Sequence, residues 1–253
     1  MIDIHSHIIP GIDDGAKDKK TSIEMLRMAE ENGTSKIVLT PHYYRGKFTI
    51  ARNEVLKCAE EVKKYVKENN INIDIYVGQE VYFTKSILEY LESGEIGTIN
   101  NSRYMLIEFD MVHIDKDIID TLYELKVRGI VPIIAHPERY IEFQKKPEMI
   151  NKFIEEGYLF QINVGSIVGG FGKEAKILAE KFLKNGIYNF FGSDAHGMGR
   201  RTSDISKYKI ELEKVRPNFI KEGTKNAQDM LDNKVVKFYG RKIEIKKKKF
   251  IFF

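Results

Sequence analysis

The sequence is poor in cysteine, in long apolar runs and in net charge, and each scarcity excludes a class of protein. Cys58 has no partner for an intrachain disulfide, and its place in an apolar helical pattern from Val55 to Val62 makes it a packing residue and a poor nucleophile. No apolar stretch approaches the roughly 20 residues that are needed to span a bilayer. Because the chain opens on MIDIHSH without a basic and then apolar leader, we expect a cytoplasmic protein.

The formal net charge of +4 is concentrated at the C-terminus. Residues 241–253 (RKIEIKKKKFIFF) carry six basic side chains against Glu244, so the rest of the chain is nearly neutral. A nearly neutral body excludes a nucleic-acid-binding surface, which needs a clustered basic face. The tail itself has two interpretations, which are a fraying terminus and a contact with an anionic membrane or an acidic partner.

Short apolar runs alternate with helical patterns along the whole chain, as is typical of βα units. Because strands that alternate with helices are mostly parallel, seven such units predict a closed or distorted barrel. No linker or repeat divides the chain, so we expect one domain over residues 1–240 and a basic, aromatic tail over 241–253. The predicted strands are 2–5, 36–40, 73–79, 103–109, 131–135, 158–163 and 187–191. The predicted helices are 21–32, 50–69, 84–91, 116–128, 147–156, 173–185 and 203–214.

Five of the six histidines lie at the ends of these strands, and His113 is the exception. They occur in the segments IDIHSH, VLTPH, PIIAHP and GSDAH, and carboxylates end two further strands in GQE and EFD. Functional side chains of parallel barrels project from the C-terminal ends of the strands, where buried carboxylates such as Glu80 and Glu108 would need a cation. The set therefore predicts a shared metal site, although each motif alone is weak evidence.

The ordered motifs resemble a known family. HSHIIPGIDDG (residues 5–15), followed by TPH, GQE, AHPER and GSDAH, resembles the PHP phosphoesterase superfamily and specifically the bacterial CpsB-type tyrosine phosphatases of capsule and exopolysaccharide biosynthesis. The resemblance covers residues 1 to about 201. It implies a distorted (βα)7 barrel of the PHP type that holds three divalent metal ions, usually manganese. It also implies removal of phosphate from phosphotyrosine on a protein, in this family a membrane-associated tyrosine kinase.

Nine positions match the metal ligands of the family. The resemblance assigns a first metal to four residues, a second to three with Glu80 as the bridge, and a third to three; it also favours Asp14 over Asp13. These ligand sets are His5, His7, Glu80 and Asp194; Glu80, Glu108 and His136; and Asp14, His42 and His196.

The ligand chemistry agrees with a phosphate substrate. Four ionised carboxylates against three divalent cations leave about +2, which suits a phosphate monoester dianion. Imidazole and carboxylate ligands favour Mn, Fe or Zn over Ca or Mg. Arg139 and Arg201 match phosphate-contacting arginines of the family, with Arg200 as an alternative to Arg201. Three aromatic residues next to these motifs are candidates for contact with the substrate ring, namely Tyr43, Tyr44 and Tyr140.

Three other functions fit parts of the pattern. A PHP phosphatase of small molecules, such as histidinol phosphate, would share the metal site, but HIIPGIDDG and AHPER favour the tyrosine-phosphatase branch. An amidohydrolase-type barrel also begins with HxH, yet it often uses a bridging lysine, and no lysine ends a strand here. A non-catalytic module that binds phosphotyrosine or metal is the third alternative, and retention of all nine ligands argues against it.

Overall fold

The computed structural model describes residues 1–244 and is built around a ring of parallel strands. The predicted seven-stranded pattern is confirmed, but two of the strands continue past their predicted ends at residues 40 and 79. After an interruption of two residues, β2 (Lys36–Leu39) continues as β3 (His42–Tyr43), and β4 (Asp74–Val77) continues as β5 (Glu80–Tyr82). Pro41 lies in the first interruption, where it has no N–H to donate to a neighbouring strand. In chain order the strands are β1 (Ile2–Ser6), β2 (Lys36–Leu39), β3 (His42–Tyr43), β4 (Asp74–Val77), β5 (Glu80–Tyr82), β6 (Tyr104–Glu108), β7 (Val131–Ala135), β8 (Leu159–Asn163) and β9 (Phe190–Gly192).

The strands form two parallel sheets that together curl into a distorted (βα)7 barrel. One sheet has the order β1-β2-β4 and the other the order β3-β5-β6-β7-β8-β9. The first and last strands meet and close the ring, because the His7 N–H donates to the Ala195 carbonyl (3.0 Å) and the Asp194 N–H donates to the His5 carbonyl (2.8 Å). All C-terminal strand ends therefore face the same end of the barrel.

Nine helices are present in residues 1–244, and most of them lie on the outside of the ring. The seven predicted helices are found with shifted ends, and the one expected over 203–214 begins only at Lys209, after a single 3₁₀ turn. The sequence patterns did not predict α5 or α9. In chain order the helices are α1 (Lys19–Glu31), α2 (Arg52–Glu68), α3 (Ile87–Glu92), α4 (Ile118–Val127), α5 (Ile141–Lys145), α6 (Ile150–Glu155), α7 (Lys173–Lys184), α8 (Lys209–Val215) and α9 (Phe219–Leu231).

Successive side chains of each strand point to opposite faces of the ring, and apolar side chains pack on both faces. Ile4, Leu106 and Ile133 belong to one buried cluster, whereas residues that alternate with them, such as Ile107 and Ile134, pack in a second cluster with the outer helices. Three residues of α9 join the first cluster, namely Ala227, Met230 and Leu231.

Helix α9 packs against β9 near the beginning of that strand, at the end of the ring opposite the C-terminal strand ends. The Asn226 side chain donates to the Asn189 carbonyl (2.9 Å), just before β9 begins. A Cβ on Gly223 would lie 2.7 Å from a ring carbon of Phe191, so the helix and the strand touch closely at this glycine. The interior of the barrel is packed, and the C-terminal strand ends are left to build a site.

The C-terminal segment packs on the barrel as far as Ile243. Ile243 is buried, and its backbone N–H and carbonyl are both bound by the Asn151 side chain (2.8 and 2.9 Å). We therefore propose that the single domain extends beyond the boundary predicted at residue 240. Most of the predicted basic tail lies outside the described residues. Within the described part, no helix is both long and apolar enough to cross a membrane.

Candidate metal centre

All nine predicted metal ligands meet at the C-terminal end of the barrel. Two lie at the end of β1, one in the loop after it, and the others at or just after β3, β5, β6, β7 and β9. The donor atoms of eight of these residues form three groups, and within each group all donor atoms lie within 4.8 Å of one another. His136 lies beside the second group. The nine residues are His5, His7, Asp14, His42, Glu80, Glu108, His136, Asp194 and His196.

The first group is fully buried and consists of His5, His7, Glu80 and Asp194. His5 Nε2 lies 3.2 Å from Glu80 Oε2 and 3.4 Å from Asp194 Oδ1. His7 Nε2 lies 3.3 Å from each of the same two oxygens. Two imidazole nitrogens and two carboxylate oxygens therefore converge on one point, and they belong to the four residues that the family resemblance assigns to the first metal.

The second group contains Glu80, Glu108 and His42, with His136 beside it. His136 Nε2 lies 2.9 Å from Glu80 Oε1 and 3.5 Å from Glu108 Oε1. His42 Nδ1 lies 3.0 Å from Glu80 Oε2 and 3.7 Å from Glu108 Oε2. The grouping differs from the expected one because His42 approaches these carboxylates almost as closely as His136 does.

The third group contains His7, Asp14, His42 and His196. Asp14 Oδ1 lies 3.5 Å from His42 Nε2 and 3.3 Å from His196 Nε2. Asp13 lies behind the group, where its Oδ2 contacts His7 Nδ1 (2.8 Å) and accepts the His42 backbone N–H (3.1 Å). Asp14 is thus the aspartate that faces the other donors.

Several buried donor atoms in this cluster have no hydrogen-bond partner among residues 1–244, which fits a bound cation. They are His42 Nδ1, Glu80 Oε2 and His196 Nε2. A buried polar atom without a partner costs about 1–3 kcal/mol, and more when it is charged. Divalent cations bound in the three donor groups would satisfy these atoms.

The ionisation of the cluster also fits a cation. Burial lowers the pKa values of His136 and His196 to about 4, so both imidazoles are neutral at pH 7 and able to coordinate. Burial and the nearby Glu80 carboxylate raise the pKa of Glu108 well above its usual range. Carboxylates beside the neutral imidazoles of His136 and His196 belong to the mixed nitrogen and oxygen donor set of Mn, Fe and Zn sites.

Two of the histidines are oriented by hydrogen bonds behind the cluster. His5 Nδ1 lies 2.9 Å from the amide oxygen of Gln161, and His7 Nδ1 lies 2.8 Å from Asp13 Oδ2. Because both partners accept, each Nδ1 carries the proton and each Nε2 is left free to coordinate. The Gln161 amide in turn donates to Asn163 Oδ1 (2.9 Å). The sequence analysis missed Gln161 and Asn163, although two polar side chains inside the apolar run LFQIN were a usable signal.

The backbone at the cluster is unusual just after β7 and just after β9. His136 and Asp194 have positive φ values of 31° and 51°, which are uncommon for residues with a Cβ. A Cβ on Gly192 would lie 2.5 Å from His5 Cβ, and one on Gly15 would lie 2.1 Å from the His7 carbonyl oxygen. Glycine at these two positions lets the backbone approach the histidines of β1.

Two arginines lie at the edge of the cluster and contact Asp194. Arg139 Nη1 lies 3.0 Å from Asp194 Oδ2. Arg201 forms an ion pair with the same carboxylate, and its Nε donates to the Asp194 carbonyl (3.1 Å). Arg200 is exposed and donates instead to the Gly170 carbonyl. Of the two neighbours considered from the sequence, Arg201 is therefore the one beside the cluster.

A cleft of about 250 Å³ opens over the cluster, and one of the three predicted aromatic contacts lines it. The Tyr44 ring stacks on Tyr82, with ring centres 3.9 Å apart, and Phe48 stacks on His42 at 5.5 Å. The sequence analysis missed Tyr82. The other residues that line the cleft are Asp14, Lys47, Glu108, Phe109, Asp110, Met111, Arg139 and Arg201.

The prediction of substrate contact is wrong for Tyr43 and Tyr140, because both side chains are buried in the core. The Tyr43 hydroxyl donates to the Glu95 carboxylate. The Tyr140 hydroxyl donates to the Ala135 carbonyl (2.7 Å) and accepts the backbone N–H of Phe109 (3.0 Å). Both hydroxyl groups therefore form hydrogen bonds within the protein.

Sequence comparison identifies relatives along almost the whole chain. A family model described as capsular polysaccharide synthesis, CpsB/CapC, matches residues 1–232. Tyrosine-protein phosphatase YwqE of Bacillus subtilis is 32% identical over 240 residues, which cover 93% of each chain. Tyrosine-protein phosphatase CpsB of Streptococcus agalactiae is 34% identical over 244 residues, which cover 92% of this chain and 99% of CpsB.

Structure comparison agrees with the sequence relatives. A structure from work on YwqE of Bacillus subtilis and CpsB of Streptococcus pneumoniae, described as unique metal-dependent tyrosine phosphatases, matches with a TM-score of 0.92 and 31% identity. The match covers 97% of this chain and 100% of the other. Histidinol phosphate phosphatase of Lactococcus lactis shares only the fold, with a TM-score of 0.55, 15% identity and coverage of 85% and 93%. With this fold and this match over residues 1–232, the chain belongs to the CpsB/CapC family of capsular polysaccharide synthesis.

Proposed function

We propose that this protein is a metal-dependent phosphatase that hydrolyses phosphotyrosine on a protein. The observation that carries the proposal is the cluster of nine nitrogen and oxygen donors on the floor of a cleft that two guanidinium groups border. The relatives named tyrosine-protein phosphatases, at 32% and 34% identity, support the same activity. A tyrosine kinase of capsule or exopolysaccharide synthesis, associated with the membrane, is the proposed substrate, and the cytoplasm is the proposed location.

The proposed cofactors are three divalent ions, with Mn first and Fe or Zn as alternatives. His5, His7, Glu80 and Asp194 would hold the first ion. The carboxylates of Glu80 and Glu108, with His136, would hold the second, and His42 is a further donor there. Asp14, His42 and His196 would hold the third. When bound, such ions lower the pKa of coordinated water and neutralise charge on phosphoryl oxygens.

The chain's own residues would bind and orient the phosphate ester. Arg139 and Arg201 lie on the same side of the cleft, with guanidinium carbons 4.6 and 5.7 Å from the ring centre of Phe171. A guanidinium fork at this position suits the phosphoryl oxygens, and the stacked rings of Tyr44 and Tyr82 offer an apolar wall to the substrate ring. Phenolate has a pKa near 10 and leaves more readily than an alkoxide, so a strong general acid is not required.

A comparison of substrates tests the proposed function. The protein, stripped of metal and reloaded with Mn²⁺, should show a much higher kcat/KM for a phosphotyrosyl peptide than for histidinol phosphate. The opposite preference would keep the metal centre but assign the chain to small-molecule phosphatases. Binding of the peptide without turnover of either substrate would favour a non-catalytic phosphotyrosine-binding module.

Replacement of Arg201 is expected to reduce turnover strongly, whereas replacement of its neighbour is not. Arg201→Ala removes a charged donor at the phosphate, so we expect kcat/KM for a phosphotyrosyl peptide to fall by about 10²-fold. Arg200→Ala is the matched control, because Arg200 is exposed and contacts a carbonyl outside the cleft. Equal losses in the two variants, or no loss in either, would contradict the assignment.

Replacement of Asp13 tests the hydrogen bond behind His7. Asp13→Asn weakens the contact that orients the imidazole, and losses at such positions weaken metal binding by about 10–100-fold. The affinity for Mn²⁺, measured from the activation of metal-stripped protein, should decrease by a factor in that range. Asp229→Asn on α9 makes the same chemical change far from the site. An Mn²⁺ affinity in Asp13→Asn equal to that of this control would show that Asp13 has no such role.

A further inference from the structure

A second cavity adjoins the cleft, and we propose that it binds a basic side chain, lysine or arginine, next to the phosphotyrosine of the substrate. The cavity has a volume of about 220 Å³ and shares three wall residues with the cleft, namely Tyr82, Phe109 and Asp110. This inference rests on the proposed function, because it assumes that a phosphotyrosyl chain enters the cleft. It adds a preference for particular substrate sequences.

Tyr82 forms the partition between the two cavities. Its ring stacks on Tyr44, which lines the cleft, with an interplanar angle of 7°. Its hydroxyl donates to Asp110 Oδ2 at 2.9 Å, which fixes the ring from the other side. A peptide whose phosphotyrosine ring lies in the cleft would therefore pass over Tyr82, and a neighbouring side chain would reach the second cavity.

The floor of the second cavity is apolar and well packed. Phe83, Phe109 and Ile118 are 8%, 1% and 2% exposed, and the two phenylalanine rings pack edge to face with centres 6.1 Å apart. One water molecule takes about 30 Å³ of liquid. The cavity volume of about 220 Å³ is several times larger, so it has room for one long side chain. The methylene groups of lysine or arginine pack well on such a floor while the charged end stays at the rim.

The rim of the second cavity has an excess of negative charge. Lys85 Nζ is engaged by Asp117 (2.5 Å), and His113 Nδ1 is engaged by Glu142 (2.8 Å). The other two charged residues of the wall are Asp110 and Asp115, and neither has an ion-pair partner among residues 1–244. Asp115 is half-buried and accepts only the backbone N–H of Asp117 (2.9 Å). The two carboxylates can therefore attract a cationic side chain and repel an acidic one.

The test uses phosphotyrosyl peptides that differ only in the residue directly before or directly after the phosphotyrosine. The peptides of each set carry arginine, leucine or glutamate at that place. At one of the two positions, we expect kcat/KM to be about 10-fold higher with arginine than with glutamate, and the value with leucine to lie between these two. Asp115→Asn keeps an acceptor for the Asp117 N–H and should reduce this ratio to about 2-fold, and Asp115→Lys should reverse it. Asp120→Lys makes the same charge change on α4 without lining the cavity and should keep the preference.

Equal kcat/KM values for the three peptides, or a preference that Asp115→Asn and Asp115→Lys leave unchanged, would overturn the inference. A preference for leucine with arginine and glutamate equal would also overturn it, because charge would then play no part. Free phosphotyrosine separates this inference from the proposed function. All variants should hydrolyse it at the rate of the unaltered protein. A lack of hydrolysis of both free phosphotyrosine and the phosphotyrosyl peptides by the unaltered protein would contradict the proposed function itself.

Discussion

Glu80→Gln is expected to abolish turnover, with a loss in kcat/KM of more than about 10³-fold. Glu80 is the residue that links the first two donor groups. Its Oε2 lies 3.2 Å from His5 Nε2 and 3.0 Å from His42 Nδ1, and its Oε1 lies 2.9 Å from His136 Nε2. The side chain is fully buried, and the neutral amide of glutamine is a weaker metal ligand than the carboxylate that it replaces. The measurement is kcat/KM on a phosphotyrosyl peptide at saturating Mn²⁺.

The matched control for this variant is Glu89→Gln, which makes the same chemical change on an exposed position of α3. Its kcat/KM should equal that of the unaltered protein. Circular dichroism of both variants separates a loss of metal from a loss of fold. If Glu80→Gln kept more than a tenth of the activity while folded, Glu80 would not be the shared ligand.

Removal of the metal ions is expected to lower the melting temperature by about 8–16 °C. Ligand at about 1,000 times its dissociation constant stabilises the folded state by about 4 kcal/mol, and each kcal/mol shifts the melting temperature of a chain of this size by about 2–4 °C. We expect this stabilisation because several buried donor atoms lack a hydrogen-bond partner among residues 1–244, including Glu80 Oε2 and His196 Nε2. The measurement is thermal unfolding with Mn²⁺ and with EDTA.

Glu80→Gln is the control for the thermal measurement, because a protein with a broken first group should respond little to EDTA. A shift of less than about 2 °C in the unaltered protein would mean that the cluster binds no ion tightly at the concentrations used. Equal shifts in the two proteins would mean that the stabilising ion is bound elsewhere.

Much of the site could be predicted from the sequence because parallel strands end at the same edge of a barrel. His5 and Glu80 are far apart in the chain, but each stands at or near the C-terminal end of a strand, so the closed ring brings their donor atoms to 3.2 Å. The grouping of the donors could not be predicted in full. The approach of His42 to two groups depends on where β3 lies beside β5, and the motifs contain no information about that distance.

The two misplaced tyrosines follow from local geometry that the motifs did not reveal. His42 and Tyr43 are consecutive residues of β3, and consecutive side chains of a strand point to opposite faces. Once His42 points to the cluster, Tyr43 must point to the core, so this error was avoidable. Tyr140 comes after the turn that follows His136, and only the three-dimensional path of that turn shows that its hydroxyl reaches back to Ala135.

The helix over residues 219–231 is the main element of the fold that the sequence patterns did not predict. It starts after Asn218, which has a positive φ of 66°, and it lacks a side-chain hydrogen bond at its N-cap. Its buried residues Ala227, Met230 and Leu231 pack at the end of the barrel opposite the C-terminal strand ends. Their burial therefore depends on closure of the ring by strands that are distant in the chain. Local patterns predicted the outer helices better because those helices each pack on neighbouring strands in the chain.

The most direct test of the metal-dependent phosphatase is a titration of metal-stripped protein with Mn²⁺, in which kcat/KM for a phosphotyrosyl peptide and the number of bound ions are measured together. We expect no turnover before metal is added and full turnover when three ions are bound per chain. Turnover by the stripped protein at the rate of the loaded protein would contradict this expectation, since the nine donors would then have no part in the chemistry.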